Sequence, residues 1–418
     1  MTPVSAAKPS GAVLILGATV IAGVAGYLVT WVVYRTVGTA PYATFAVYRA
    51  ALYLVIGGLS GIQQEITRAT RVIEPGSRTR PSRARNFGLI AAGGVVVAIV
   101  GSSPLWSMQV FPEHGWALVW PLACGAGSYV LVAVLSGSLY GIAQWRSVAL
   151  LIACDGVSRL ALALVALAVT QDVVVLAWAV AIPFPLAIVV LWPFIRAGLV
   201  GRSDIDVRYR GLIWNVSRTV LASVSMAILV SGFPLLLALT SSAQSPALIG
   251  EIIFTITLTR APLVVVAMAL QSYLLVRFRD DAVDPLRLFF TILGGILGVA
   301  TLLGVLGWWL GPAVFGILSA DPVQVDGPFI AVLVVSAALV AALCVSAPAV
   351  LARSEHFVYS LGWAVAALVT VAIMITPMDF MTRLIVALLC GPVAGLVVHV
   401  GWLVLAARRP AAGSLPPG

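Results

Sequence analysis

Three arginines stand where a guanidinium is costly to keep. Arg49, Arg159 and Arg260 each fall inside a long apolar run, and Asp155 is the clearest carboxylate in such a run. A charge at the centre of a helix in lipid costs about 2.5–3.5 kcal/mol, so these side chains must point to the protein interior. Asp155 and Arg159 are four residues apart, share a helix face and can pair. That pair can act as structural glue, or Asp155 can bind a coupling ion or proton. Arg49 and Arg260 have no acidic residue three or four positions away. A guanidinium so placed meets a water-filled cavity or an anionic ligand. Phe45, Arg49 and Tyr53 repeat at four-residue intervals, giving one face with a cation between two aromatics. That face suits a phosphate flanked by sugar or isoprenoid. Thr257, Arg260 and Gln271 fall within about 60° of one another on a helix, with Glu251 opposite. Pro262 should kink that helix beside the arginine.

Other reactive types carry less. Cys124, Cys154, Cys344 and Cys390 lie in apolar spans without metal-ligand spacing and are expected to pack in the core. His399 reads as a satisfied interior histidine, and His114 and His356 sit at loop edges. There is no G-x-x-x-x-G-K-[ST], nucleophile elbow, H-E-x-x-H or Cys/His cluster. Asp155 and Glu251 are too separated to argue general acid/base catalysis. The expectation is a protein that is not an enzyme and holds no cofactor or metal. Gly57, Gly58 and Gly61, like Gly294, Gly295 and Gly298, suit close contact between helices.

The elements that must position these residues are transmembrane helices. The chain is 61% hydrophobic and 9% charged, with a mean hydropathy of +1.10, far beyond what a soluble core of 418 residues needs. An all-α polytopic membrane protein follows, because helices satisfy their own backbone in lipid. Twelve apolar windows are expected as spans, at 11–34, 43–62, 87–108, 116–139, 148–170, 173–195, 219–240, 248–276, 288–310, 328–351, 357–376 and 384–407. The first is too long for a signal-peptide h-region and is expected to be retained. A cytoplasmic N-terminus puts nineteen of the 24 basic residues on one side. This asymmetry is the positive-inside rule and predicts cytoplasmic termini. The net charge of +9 thus reports topology and contact with lipid headgroups, not nucleic acid.

Polar segments at 63–86 and 197–215 punctuate the chain, and the second divides six spans from six. The first carries Pro75, Gly76 and Pro81 and is expected as a short helical extension followed by a loop. Arg49-Ala-Ala-Leu in the second span matches Arg260-Ala-Pro-Leu in the eighth, 211 residues on. Equal halves that both start in the cytoplasm predict a parallel repeat. Residues 1–200 and 201–410 are expected as two six-helix lobes enclosing a cleft, with 411–418 as a cytoplasmic tail.

The twelve spans resemble a known family, together with GLSGIQQEITRATR (58–71), SGFPLLLAL (231–239) and LTRAPLVVVAMALQ (258–271). They look like the polysaccharide-transporter branch of the multidrug/oligosaccharidyl-lipid/polysaccharide (MOP) flippase superfamily. The resemblance implies a V-shaped pair of lobes with a central cavity that opens alternately to each side of a bacterial plasma membrane. Its substrate would be a polyprenyl-phosphate- or pyrophosphate-linked saccharide for the cell envelope, and its partners membrane lipids and glycosyltransferases of the same pathway. Cavity arginines bind the anion in such proteins, and Arg49 and Arg260 match in helix and context, Arg159 less clearly. The chain lacks the added helix pair of lipid II flippases. Two rivals remain open at this stage. A cation-coupled drug exporter would prefer acidic residues in the cavity, and a membrane glycosyltransferase or ligase would need larger external loops.

Overall fold

A computed structural model describes residues 9–73, 83–205, 207–278, 285–318, 325–353 and 355–408. The loop with Pro75, Gly76 and Pro81, the tail 411–418, and the side chains of Pro262 and Gln271 lie outside the described residues.

The chain runs through α1 (Pro9–Val37), α2 (Thr39–Ala69), β1 (Thr70–Val72), α3 (Arg83–Ser102), a 3-10 turn (Ser103–Leu105), α4 (Ser107–Val110), α5 (Gly115–Gly141) and α6 (Trp145–Val169). There follow α7 (Val173–Ala181), α8 (Pro183–Leu199), β2 (Ser203–Ile205), α9 (Tyr209–Val230), α10 (Phe233–Thr240) and α11 (Pro246–Phe278). The last four are α12 (Pro285–Leu318), α13 (Gly327–Leu351), α14 (His356–Met374) and α15 (Phe380–Arg408). Eleven helical stretches among the described residues are long and apolar enough to cross a membrane. The helix α11 covers the eighth expected span. The chain is a multi-pass, all-α membrane protein.

Local chemistry sets the breaks. Gly38 separates α1 from α2 at φ 80°, ψ 177°, a backbone conformation essentially reserved for glycine. The sixth expected span is two helices, because Pro183 and Pro185 bring no amide hydrogens to continue the ladder of α7. Its start is capped by Asp172, which accepts the Val174 N–H at 2.6 Å. Before α15, Asp379 accepts the Thr382 N–H at 3.0 Å, and hydrogen bonds from Thr382 hold this exposed carboxyl below its ordinary value.

The chain forms two compact units, Met1–Phe254 and Thr255–Gly418. In the first, α1 packs on α6, α5 packs on α2 and α3, and α2 packs along α9. That last contact is why the seventh span belongs to the same compact unit as the first six. It requires small residues: a Cβ at Gly61 would sit 2.6 Å from the Val220 nitrogen, so the two backbones meet directly. An antiparallel ribbon the apolar pattern gave no sign of joins β1 to β2, pairing Thr70 with Ile205 and Val72 with Ser203. In the second unit α13 is the buried element, covered by α12 and α15, and α14 packs on α15. The face of α12 that carries Leu302, Val305 and Trp309 is exposed, as expected for a helix solvated by lipid.

Candidate functional site

Within the first unit the two arginines have different surroundings. Arg49 is half-buried on α2, and its Nη1 donates to the Thr30 hydroxyl on α1. Thr30 passes its own proton to the Gly26 carbonyl at 2.9 Å, so its oxygen is free to accept. Among the described residues Arg49 makes no ion pair and no other hydrogen bond. A guanidinium has five N–H donors, so most of its capacity is unspent.

More donors gather around it. Tyr27 and Tyr42 lie close enough to feel the Arg49 charge. The buried hydroxyls of both, and the indole nitrogen of Trp31 one turn beyond Tyr27, have no hydrogen-bond partner among the described residues. Buried polar atoms normally find partners, because leaving one unsatisfied costs about 1–3 kcal/mol. Here the surplus is one-sided: two tyrosine hydroxyls stand near the cation, an indole N–H lies next to Thr30 on α1, and no described carboxylate pairs with Arg49. The arrangement is suited to an anion.

Arg159 is already neutralised. Its Nη2 donates to both oxygens of Asp155, at 2.7 and 2.8 Å, and its Nε points at the Val180 carbonyl at 3.5 Å. That carbonyl lies in the last turn of α7, between Ala179 and Ala181, whose usual amide donors would come from Pro183 and Pro185. The guanidinium carbon sits 4.9 Å from the Phe184 ring centroid and 5.6 Å from that of Tyr53, within cation–π range. Phe184 meets Tyr129 edge-on at 5.6 Å.

The expected face of Phe45, Arg49 and Tyr53 therefore divides. Tyr53 faces Arg159. Phe45 is fully buried and packs toward Tyr42, whose ring stands edge-on to both Tyr34 and Phe254. In the second unit Arg260 is buried on α11 with Cys344 of α13 as an electrostatic neighbour, and Thr257 is half-buried one turn before it. Glu251 is half-buried on the first-unit part of α11. Tyr27, Thr30 and Trp31 were not singled out from the sequence. Their signal is the stretch GYLVTW (26–31), which sets two aromatics and a hydroxyl on one side of an otherwise apolar helix.

No protein-family model matches the chain. Among solved structures, an inward-facing multidrug resistance MATE family transporter of the MOP superfamily superposes with a TM-score of 0.67, at 14% identity, covering 96% of this chain and 100% of its own. The lipid II flippase MurJ in an inward closed conformation gives 0.67 at 11% identity, over 95% of this chain and 88% of its own. The fold is thus that of the MOP superfamily. More narrowly, the chain is 32% identical over 416 residues to the uncharacterized protein Rv3630 of Mycobacterium tuberculosis, covering 96% of this chain and 95% of the relative. It is 35% identical over 408 residues to the uncharacterized protein Rv1510 of the same organism, covering 94% and 90%. The chain belongs to the family of these mycobacterial proteins.

Proposed function

We propose that this protein is a flippase that carries a polyprenyl-phosphate- or pyrophosphate-linked saccharide from the inner to the outer leaflet of a bacterial plasma membrane, by alternating access. The observation that carries this reading is the acid-free cluster at Arg49. A half-buried guanidinium has one acceptor for its five N–H groups, two tyrosine hydroxyls and an indole N–H have none, and a phosphate group supplies several at once. The half-buried rings of Tyr27 and Trp31 give a sugar or isoprenoid flat apolar surfaces beside the anion. A substrate that is cationic would gain nothing from Arg49, and the carboxylates of Glu65 and Asp155 are engaged by Arg68 and Arg159. Arg260 is proposed as a further substrate-binding residue, by virtue of the matched RAAL and RAPL segments.

The test is reconstitution in proteoliposomes with a fluorescent polyprenyl-diphosphate-linked disaccharide, reading its access to a membrane-impermeant quencher. Wild-type protein is expected to equilibrate the probe across the bilayer, and Arg49→Ala to stop it while the protein inserts normally. Equal rates for wild type, Arg49→Ala and empty liposomes would overturn the reading.

A further inference from the structure

The second unit holds one more buried group for chemistry, His399 on α15. Its ring is fully buried and bridges three helices. Nε2 lies 3.2 Å from the Tyr359 carbonyl of α14, and Nδ1 lies 2.8 Å from the Ser346 hydroxyl of α13. The Ser346 hydroxyl in turn sits 2.9 Å from the Leu343 carbonyl. Gly362 makes the slot, since a side chain there would overlap the ring at Nε2.

Counting protons along this chain shows what it can do. A peptide carbonyl only accepts, so Nε2 must carry a hydrogen. The Ser346 hydroxyl has one proton and two claims on it, Nδ1 and the Leu343 carbonyl. With a neutral ring, Ser346 donates to Nδ1 and the Leu343 carbonyl gets nothing from it. With a second proton on Nδ1, the ring donates to Ser346, the hydroxyl rotates to Leu343, and all three contacts are satisfied together. We propose that His399, Ser346 and the Tyr359 carbonyl form a proton-binding site inside the second unit, whose occupancy decides how α13, α14 and α15 are joined. Binding forms one N–H bond at Nδ1 with a proton drawn from water, and releasing it restores the neutral ring.

The titratable and charged groups around the site belong to each element packed there. Cys344 comes from α13, and the Tyr359 ring from α14 stacks near the imidazole with centroids 6.5 Å apart. From α11 comes Arg260, the electrostatic neighbour of Cys344, which is itself felt by Tyr359. None of these is a carboxylate that would pin the ring in its charged form, so a loaded ring can give its proton up, and the Ser346 hydroxyl is the group that accepts from Nδ1 when the ring is loaded. Histidine is the side chain whose ordinary range permits this near neutral pH. The site is independent of what the protein transports.

The experiment is a pH titration of the full-length protein in lipid nanodiscs, labelled with 15N-histidine. The chain has three histidines, so His114→Gln with His356→Gln leaves His399 alone. The Nδ1 resonance is expected to convert to the protonated form with a midpoint between about pH 5 and 8, while Nε2 stays protonated throughout. Ser346→Ala, which removes the acceptor for the second proton, is expected to lower that midpoint by about one pH unit, and Ser346→Thr to restore it. A ring held as one neutral tautomer from pH 5 to 9 in the Ser346 protein overturns the proposal, whatever the variants do. So does a midpoint that Ser346→Ala leaves in place.

Discussion

At the scale of single residues, the three intramembrane arginines are three different answers to one cost. Arg159 is balanced by a carboxylate of its own helix and by two aromatic faces, so its net charge is spent. Arg49 has only a hydroxyl. Removing Arg159 should therefore injure the fold, since the half-buried Asp155 would be left without its counter-charge. Arg159→Ala is expected to melt well below wild type in detergent, and Asp155→Arg combined with Arg159→Asp to recover most of the loss. Retained transport in the exchanged protein would mark the pair as structural; loss of transport with normal folding would mark Asp155 as functional. Removing Arg49 takes away a desolvated cation with no ionic partner, so Arg49→Ala should fold as well as wild type. Its loss should appear in substrate handling, where charge-assisted hydrogen bonds of about 1.5–3 kcal/mol correspond to roughly 10–100-fold in affinity. Thr30→Val, which keeps the shape and deletes the oxygen that orients the guanidinium, should lie between the two. Binding of the fluorescent lipid-linked disaccharide to purified protein measures all three.

At the scale of elements, close backbone contact does the work that a hydrophobic interface does in water, because lipid offers no driving force for apolar helices to associate. The meeting of α2 and α9 depends on it. Gly61→Val would place branched carbons against the Val220 backbone, which cannot yield as a side-chain tip can. A loss of about 1–3 kcal/mol is expected, read as a lower melting temperature, whereas Gly94→Val, whose Cβ would meet nothing, should be silent apart from helix propensity. How far this was legible in the sequence varies with the kind of force involved. Spans were legible because hydropathy over about twenty residues is a property of the chain itself. The split of the sixth span was visible only as the bare presence of Pro183 and Pro185. The ribbon of Thr70–Val72 with Ser203–Ile205 was not legible, since three-residue strands have no period and their partners are remote in sequence. The same holds for Tyr27, Thr30 and Trp31: an aromatic in an apolar helix looks like core until its polar tip is found without a partner. Likewise Tyr53 sits four residues from Arg49, but helical spacing says only that two side chains share a face, and a second helix decided that its ring meets Arg159.

At the scale of the whole molecule, the distribution of basic residues predicts an orientation, and orientation determines how the membrane potential acts on the cargo. Single cysteines introduced at Gly201 and at Glu113 should be labelled from opposite sides, the first from the cytoplasm and the second from outside; both labelled from one side would contradict the assigned topology. With that orientation, a lipid-linked phosphate or pyrophosphate moving outward carries negative charge toward the positive side of the membrane. Each charge gains about 2.3 kcal/mol per 100 mV. The sequence carries no G-x-x-x-x-G-K-[ST], and a gain of this size is by itself large enough to set direction. On the proposed function Arg49 would have a kinetic part in the same process, replacing the hydration of the anion so that its passage through a low-dielectric interior is not prohibitive. Proteoliposomes under a potassium-diffusion potential, at constant pH, separate the potential from any proton linkage through His399. An outside-positive potential is expected to speed outward movement of the fluorescent diphosphate-linked probe, and reversal of its sign to slow it. A rate and direction indifferent to the sign would mean that the charge of the cargo is compensated in transit, and that the drive comes from removal of product outside or from a coupled ion.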